Sequence, residues 1–152
     1  MQNLEINWKC KFFNDLKNEE LFKILQLRSA VFVVEQNCVF LDLDDIDTKC
    51  FHFFGENEQN EVIACSRLIA PNLVYNEMSI GRVATAINFR KKGVGKQLME
   101  KSIENIYNLF GKQPIKIGAQ LYLKKFYESF GFVQQSDVYL EDGISHIRMI
   151  KF

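Results

Sequence analysis

A chain of 152 residues, 47% hydrophobic and 25% charged, has room for one domain of ordinary size and enough apolar matter for a core, which excludes disorder, collagen and coiled coil. Its 19 Lys and Arg balance its 19 Asp and Glu, a neutrality unlike that of a general nucleic-acid binder. The start, Met1-Gln2-Asn3-Leu4-Glu5, lacks a leader pattern, no apolar run reaches the roughly 20 residues of a membrane span, and the four scattered cysteines fit a reduced compartment. The expectation is a cytoplasmic protein with no nucleic-acid or membrane partner.

Residues Ile6 to Phe13 suggest a first strand, and Asn14 or Asn18 is placed to cap a helix on which Leu21, Ile24, Leu25 and Arg28 recur at helical spacing. Ala30 to Val34 continues apolar until Gln36-Asn37, and Leu41 to Thr48 reads as an acidic loop. Phe51 to Phe54 and Val62 to Ile69 read as strands around a polar turn, and Pro71-Asn72 ends the second. A long strand is expected from Glu77 to about Asn88. Gly93 then opens a helix bearing Leu98, Ile103, Ile106 and Phe110, which Gly111 ends. Pro114 to Ala119 is a short strand, Leu121 to Phe130 a helix closed by Gly131, and Phe132 to Phe152 holds two strands around Glu141-Asp142-Gly143. The order β-αα-βββ-α-β-α-ββ is that of a single α/β domain over residues 1–152 with a mixed sheet.

The most informative stretch runs from Ile80 to Lys96. A strand feeds a turn, and glycines open a helix whose free N–H groups and positive dipole end suit a phosphate. Arg90, Lys91, Lys92 and Lys96 add positive charge. The spacing fits neither a P-loop nor a G-x-G-x-x-G dinucleotide turn. Alone, the loop is equally readable as a helix start with solvated lysines.

The segment Arg90-x-x-Gly93-x-Gly95 resembles the R/Q-x-x-G-x-G/A pyrophosphate loop of the GNAT acyltransferases. Downstream, Ala119-Gln120-Leu121-Tyr122-Leu123-Lys124-Lys125-Phe126-Tyr127-Glu128-Ser129-Phe130-Gly131-Phe132 resembles that family's second cofactor segment, with Gln120 where many members carry Asn. Together with Leu27–Gln36, Cys65–Ile69, Ile80–Val83 and Tyr139–Ile147, these stretches resemble the ElaA-like subfamily. The resemblance implies the GNAT fold, a central mixed sheet of about seven strands flanked by about four helices. It also implies acetyl-CoA as cosubstrate, with the acetyl group moving directly to a primary amine, small-molecule or peptidic. No metal is expected, and family habit allows a homodimer.

By the same resemblance, Val83 and Thr85 offer backbone groups to the pantetheine arm. Arg90, Lys91, Lys92, Gly93, Val94, Gly95 and Lys96 hold the pyrophosphate, and Gln120 hydrogen-bonds the cofactor. Tyr127 is the general acid at the CoA sulfur; its alternative is a core aromatic beside Phe126, Phe130 and Phe132. The base that takes the ammonium proton is open between Glu77, His146 and His52. Each also has a plain reading, Glu77 as a solvated residue and the histidines as satisfied core or edge groups.

The acidic loop offers Asp42, Asp44, Asp45 and Asp47 to a cationic acceptor, or is simply solvated. Arg28, Phe32, Asp44, Asp47 and Arg67 also partly resemble the acyl-homoserine-lactone synthases, whose other signatures are missing. Arg28, Asp44, Asp47 and Arg67 are accordingly expected to form a buried or lining ion network that shapes the acceptor pocket, with Ser79 as a further acceptor-binding candidate. The alternatives to acetyl transfer are a synthase of that type, dependent on S-adenosylmethionine, and a CoA-binding module without catalysis.

Overall fold

The computed structural model describes residues 4–152; residues 1–3, part of the start in which the sequence shows no leader pattern, lie outside the described residues. Strand β1 (Asn7–Phe12) leads to helix α1 (Asn18–Arg28), which widens into a π-helical segment over Ser29–Glu35. A loop with a short 3-10 turn (Asp45–Lys49) precedes β2 (Phe51–Glu56), β3 (Val62–Ile69) and β4 (Ser79–Thr85). Helix α2 (Val94–Phe110), β5 (Ile115–Gln120), the short α3 (Lys124–Glu128), β6 (Val133–Gln134), β7 (Tyr139–Glu141) and β8 (Ile144–Lys151) complete the chain. No described helix is long and apolar enough to cross a membrane.

Strands β1 to β4 form one antiparallel sheet in chain order. Every residue of β3 is buried. Successive side chains of a strand face opposite ways, so β2 and β3 feed two cores. Phe53, Ile63 and Leu68 pack with Leu98, Met99 and Ile106 of α2. Phe54, Val62 and Cys65 pack with Ile24, Leu27 and Val31 of α1 and its extension. Neither Asn14 nor Asn18 caps α1. The N-cap is Lys17, and Glu20 accepts its backbone N–H at 2.8 Å, so the carboxylate three residues on replaces the expected amide.

In the second sheet β8 is central, with β5 on one side and β7 and β6 on the other, all antiparallel. The final segment therefore holds three strands, not two. Asp142 and Gly143, both at positive φ (51° and 77°), make the two-residue turn that matches strand twist between β7 and β8.

The expected single mixed sheet is divided. Between β4 and β5 the only ladder contact is a parallel bridge, Met78 to Ile115, where Lys116 N–H donates to Met78 O at 2.9 Å. Beyond it the strands part. The expected strand over 77–88 is also shorter. Pro71 and Asn72 start a turn, the chain bends through residue 77, and pairing begins at Ser79. The flanking helices are three α-helices and the π-helical segment.

One buried charge cluster ties these parts together. Arg28, at the end of α1, donates to both carboxylate oxygens of Asp47 (2.7 and 3.1 Å) and to Asp42 (2.9 Å). Arg67 of β3 donates to Asp44 (2.6 Å) and Asp47 (3.1 Å), and Arg82 of β4 to Asp42 (2.8 Å). Three guanidinium groups thus face three carboxylates. Arg28, Asp42, Asp47 and Arg67 are all buried. Burial alone would raise the Asp47 carboxyl, but the charge-assisted bonds from Arg28, with Arg67 beside it, outweigh this and hold it at about 2.

Breaking one partner of such a cluster leaves buried charge uncompensated. Asp47→Asn is expected to lower unfolding free energy by about 3–5 kcal/mol in urea titrations. In the parent chain the Asp47 contribution is fully present above its ordinary 3.8 and is lost as pH falls toward about 2. That pH-dependent component is worth about 2 kcal/mol and is absent from the variant. Equal acid unfolding profiles for the two proteins would contradict the assignment.

Candidate active site

Where β4 and β5 part, a cavity of about 410 Å³ opens between the two sheets. Its β4 wall is irregular. Arg67 pairs with Gly81 and Cys65 with Ala84, so an extra β4 residue is bulged out, and Arg82 has φ 47°. The bulge turns Arg82 onto Asp42 and exposes the β4 edge to the cavity, with Val83 and Thr85 in its lining. Apart from the bridge at Met78, this edge has no strand partner among the described residues. Apart from Thr85 O, which accepts from Arg90, its backbone groups are open to an extended, amide-bearing ligand.

At one end of the cavity lies the glycine loop. Lys91 (φ 61°) and Gly93 (φ 79°) are in the left-handed region, and α2, 17 residues long, begins at Val94. This curls consecutive N–H groups toward one point, at the positive end of a long helix dipole. Lys91 and Gly95 line the cavity, whereas Lys92, Val94 and Lys96 do not. Lys92 lies over the Phe89 ring and exposed Lys96 is near Glu100. Arg90 is not a free cation. Its guanidinium pairs with both oxygens of Glu35, one at 2.7 Å, and its Nε donates to Thr85 O at 3.0 Å. It ties the loop to the π-helical segment and to β4, which leaves the backbone N–H groups and Lys91 to meet an anion. A Cβ on Gly95 would meet Thr85 Oγ1 only at 3.7 Å and Phe126 Cζ at 3.9 Å. The fold therefore has room for that methyl group.

Tyr127 and His146 both line the cavity and both are buried. Tyr127 packs edge-on against Phe126 and Phe132. Burial pushes its phenol well above the ordinary range, so it keeps its proton at any working pH. His146 Nδ1 lies 2.7 Å from Ile144 O, and because a carbonyl only accepts, Nδ1 carries the hydrogen. Nε2 is then a proton acceptor, with Glu141 Oε2 at 3.5 Å to balance a gained charge. Gln120 exchanges amide hydrogen bonds with Gln36 (3.3 and 3.4 Å) across the cavity.

A second cavity, of about 540 Å³, adjoins the first and shares Gly81, Arg82, Gly118 and Glu141 with it. Asp44, Arg67 and Ser79 line it. Arg28 and Asp47 line neither cavity; they form the buried part of the expected ion network, behind the wall that Asp44 and Arg67 line. Glu77 also lines neither, because it precedes β4 on a bend and not on the strand. His52 is buried, its Nε2–H donates to Asp47 O at 2.8 Å, and burial lowers its affinity for a proton. Its neighbour Cys50 lies 3.7 Å from the same nitrogen, and the described residues bring no three metal-binding side chains together. Sequence reasoning missed Glu35 and Gln36, both brought in by long-range contacts, and Arg82, whose role depends on a bulge that no sequence pattern marks.

The profile of the acetyltransferase (GNAT) domain matches residues 44–152. The chain belongs to the GNAT family of acyl-CoA N-acyltransferases, the class that a split sheet with a glycine loop at its opening also fits. Within it, the chain is similar to protein ElaA of Escherichia coli, 38% identical with 96% of each chain covered. The crystal structure of that ElaA superposes with a TM-score of 0.90, covering 97% of this chain and 100% of the other at 37% identity. An acyl-CoA N-acyltransferase of Pseudomonas aeruginosa gives a TM-score of 0.92 at 36% identity, over 97% and 100%. The curated relative from Synechocystis, UPF0039 protein sll0451, is 40% identical over 97% of this chain and 96% of its own.

Gly95→Ala is expected to fold like the parent and to lose most acyl-CoA affinity, as read by thermal melting and calorimetric titration. Gly95→Asp should abolish binding by adding negative charge. Parental affinity in the aspartate variant would move the pyrophosphate elsewhere.

Proposed function

We propose that residues 1–152 form one acyltransferase domain that moves the acetyl group of acetyl-CoA to a primary amine by direct attack. The observation that supports this most is the unpaired, bulged edge of β4, which lines one cavity together with the glycine loop, Tyr127 and His146. An extended pantetheine fits such an edge, with its pyrophosphate at Lys91–Gly95 and its thioester near the two catalytic candidates. Holding thioester and amine together supplies the proximity term, worth up to about 7–11 kcal/mol of the barrier in well-aligned reactions.

His146 Nε2 takes one proton from the incoming ammonium, assisted by Glu141. The neutral nitrogen then bonds to the carbonyl carbon while the carbon–sulfur bond breaks. Tyr127 donates its phenolic hydrogen to the leaving sulfur, and the second amine proton replaces it. The balance per turnover is one amide, one CoA thiol and one proton released. Of the three candidate bases, His146 alone lines the cavity and has a free acceptor nitrogen. The acyl-homoserine-lactone alternative rests on charged residues that neutralise one another, and the non-catalytic alternative leaves Tyr127 and His146, both in the cavity wall, without a task.

Calorimetric titration with acetyl-CoA should give one-to-one binding. Tyr127→Phe keeps the ring packing and is expected to lower kcat about 100-fold with acetyl-CoA affinity unchanged. Absence of acetyl-CoA binding would overturn the reading. A parental kcat in Tyr127→Phe would remove Tyr127 from the chemistry.

A further inference from the structure

The face of the second sheet that looks into the cleft carries a second arrangement of charge. Register pairs Gly118 of β5 with Arg148 of β8, and Gln120 with His146; Tyr139 of β7 stands opposite His146 on its other side. Directly paired residues point to one face, so all five share it. Gly118 makes room there. A Cβ would come within 3.0 Å of Arg148 Nη1 and 3.2 Å of the hydroxyls of Tyr75 and Tyr139.

Arg148 lies over the Tyr139 ring at 4.4 Å and the Tyr75 ring at 5.2 Å, and its Nη1 donates to Tyr139 Oη. Stacking holds the guanidinium plane and leaves its edge N–H groups for a ligand. Arg28, Arg67, Arg82 and Arg90 are each ion-paired. Arg148, which lines the second cavity, has no carboxylate within 4.0 Å among the described residues. Lys116, also 5.2 Å from the Tyr75 ring centre, has none either. The cleft is therefore polarised. Glu141 and the proton-accepting His146 stand at one point, and an unneutralised cation stands two residues along the same strand, about 7 Å away.

We infer that the acceptor is an amino acid in the chemical sense, a primary amine bearing a carboxylate a few bonds from its nitrogen, with Arg148 as the specificity-determining residue that holds the carboxylate. The ammonium end meets Glu141 and His146, and the carboxylate meets the edge of the stacked guanidinium, whose planar fork suits it. A polyamine would place a second cation against Arg148 and Lys116. The acidic loop gives it no compensation, because Arg28, Arg67 and Arg82 already neutralise Asp42, Asp44 and Asp47. This inference rests on the acyl-transfer reading above.

The test uses acceptor pairs that differ only by the carboxylate: phenylalanine and phenethylamine, lysine and cadaverine, S-adenosylmethionine and its decarboxylated form. Thiol release from acetyl-CoA is followed with the full chain, and acetyl-CoA affinity is measured separately by calorimetry. Carboxylate-bearing members are expected to show at least tenfold higher kcat/KM. Arg148→Ala should raise their KM about 10- to 100-fold, erase the preference, and leave kcat and acetyl-CoA affinity close to the parent. Arg148→Lys, which keeps the charge without the fork, should fall between and serves if the alanine variant does not fold. If the decarboxylated amines do as well, if no carboxylate-bearing amine is turned over, or if Arg148→Ala keeps the preference, the inference falls while acetyl-CoA binding leaves the acyl-transfer reading standing. Failure of the parent to bind acetyl-CoA overturns both.

Discussion

The three-arginine, three-aspartate cluster is the interaction on which the rest of the molecule depends. It joins the end of α1, β3, the bulge of β4 and the loop over 42–47, four pieces with no hydrogen-bonded ladder in common except β3 with β4. Charges taken out of water repay their desolvation only when their geometry is fully satisfied. Here Asp47 accepts from two arginines and a backbone N–H, and Asp42 from two arginines. A cluster this specific fixes where the loop sits far more narrowly than apolar packing would. The exposed Val39 and Leu41 on that loop show how little core it has to hold it.

From that anchor the cleft follows. Arg82 is drawn to Asp42, the β4 bulge is held open, and the strand edge turns away from β5. A parallel ladder that closed fully would leave no cavity. One that never met would leave the two sheets unaligned. The single bridge at Met78 and Ile115 sets the vertex, and the glycine loop stands at the open end. The pairing of Glu35 with Arg90 adds a second constraint, because it lowers the Glu35 carboxyl through its bonds to the guanidinium and fixes the loop before any anion arrives.

Much of this is legible in the sequence, and the limits have physical causes. The apolar stretches of β3 on either side of Ser66-Arg67 and the periodic apolar face of α2 mark themselves in the sequence. Gly93, Gly111 and Gly131 mark helix boundaries because each needs positive φ. The loop from Arg90 to Lys96 is visible because its chemistry is local. Arg148 is not visible, since its meaning comes from Tyr75, 73 positions away in the chain, and from the missing side chain of Gly118. Glu77 illustrates the opposite error. The expected strand starts at Glu77, but the chain is still turning there, so no strand carries its side chain toward the cavity.

The division of the sheet also bears on how the molecule assembles. One half is built from strands between residues 7 and 85, the other from strands between 115 and 151. Both contain pairings about as distant in the chain as the bridge that joins them, Asn7 with Glu56 and Ile115 with Lys151 beside Met78 with Ile115, so neither half closes by local contacts alone. A ligand lying along β4 and reaching β5 would span both halves. Acyl-CoA bound there would be a clasp as well as a reactant: by mass action its binding free energy would add to the cohesion of the seam, and the protein would be most firmly joined when charged with substrate.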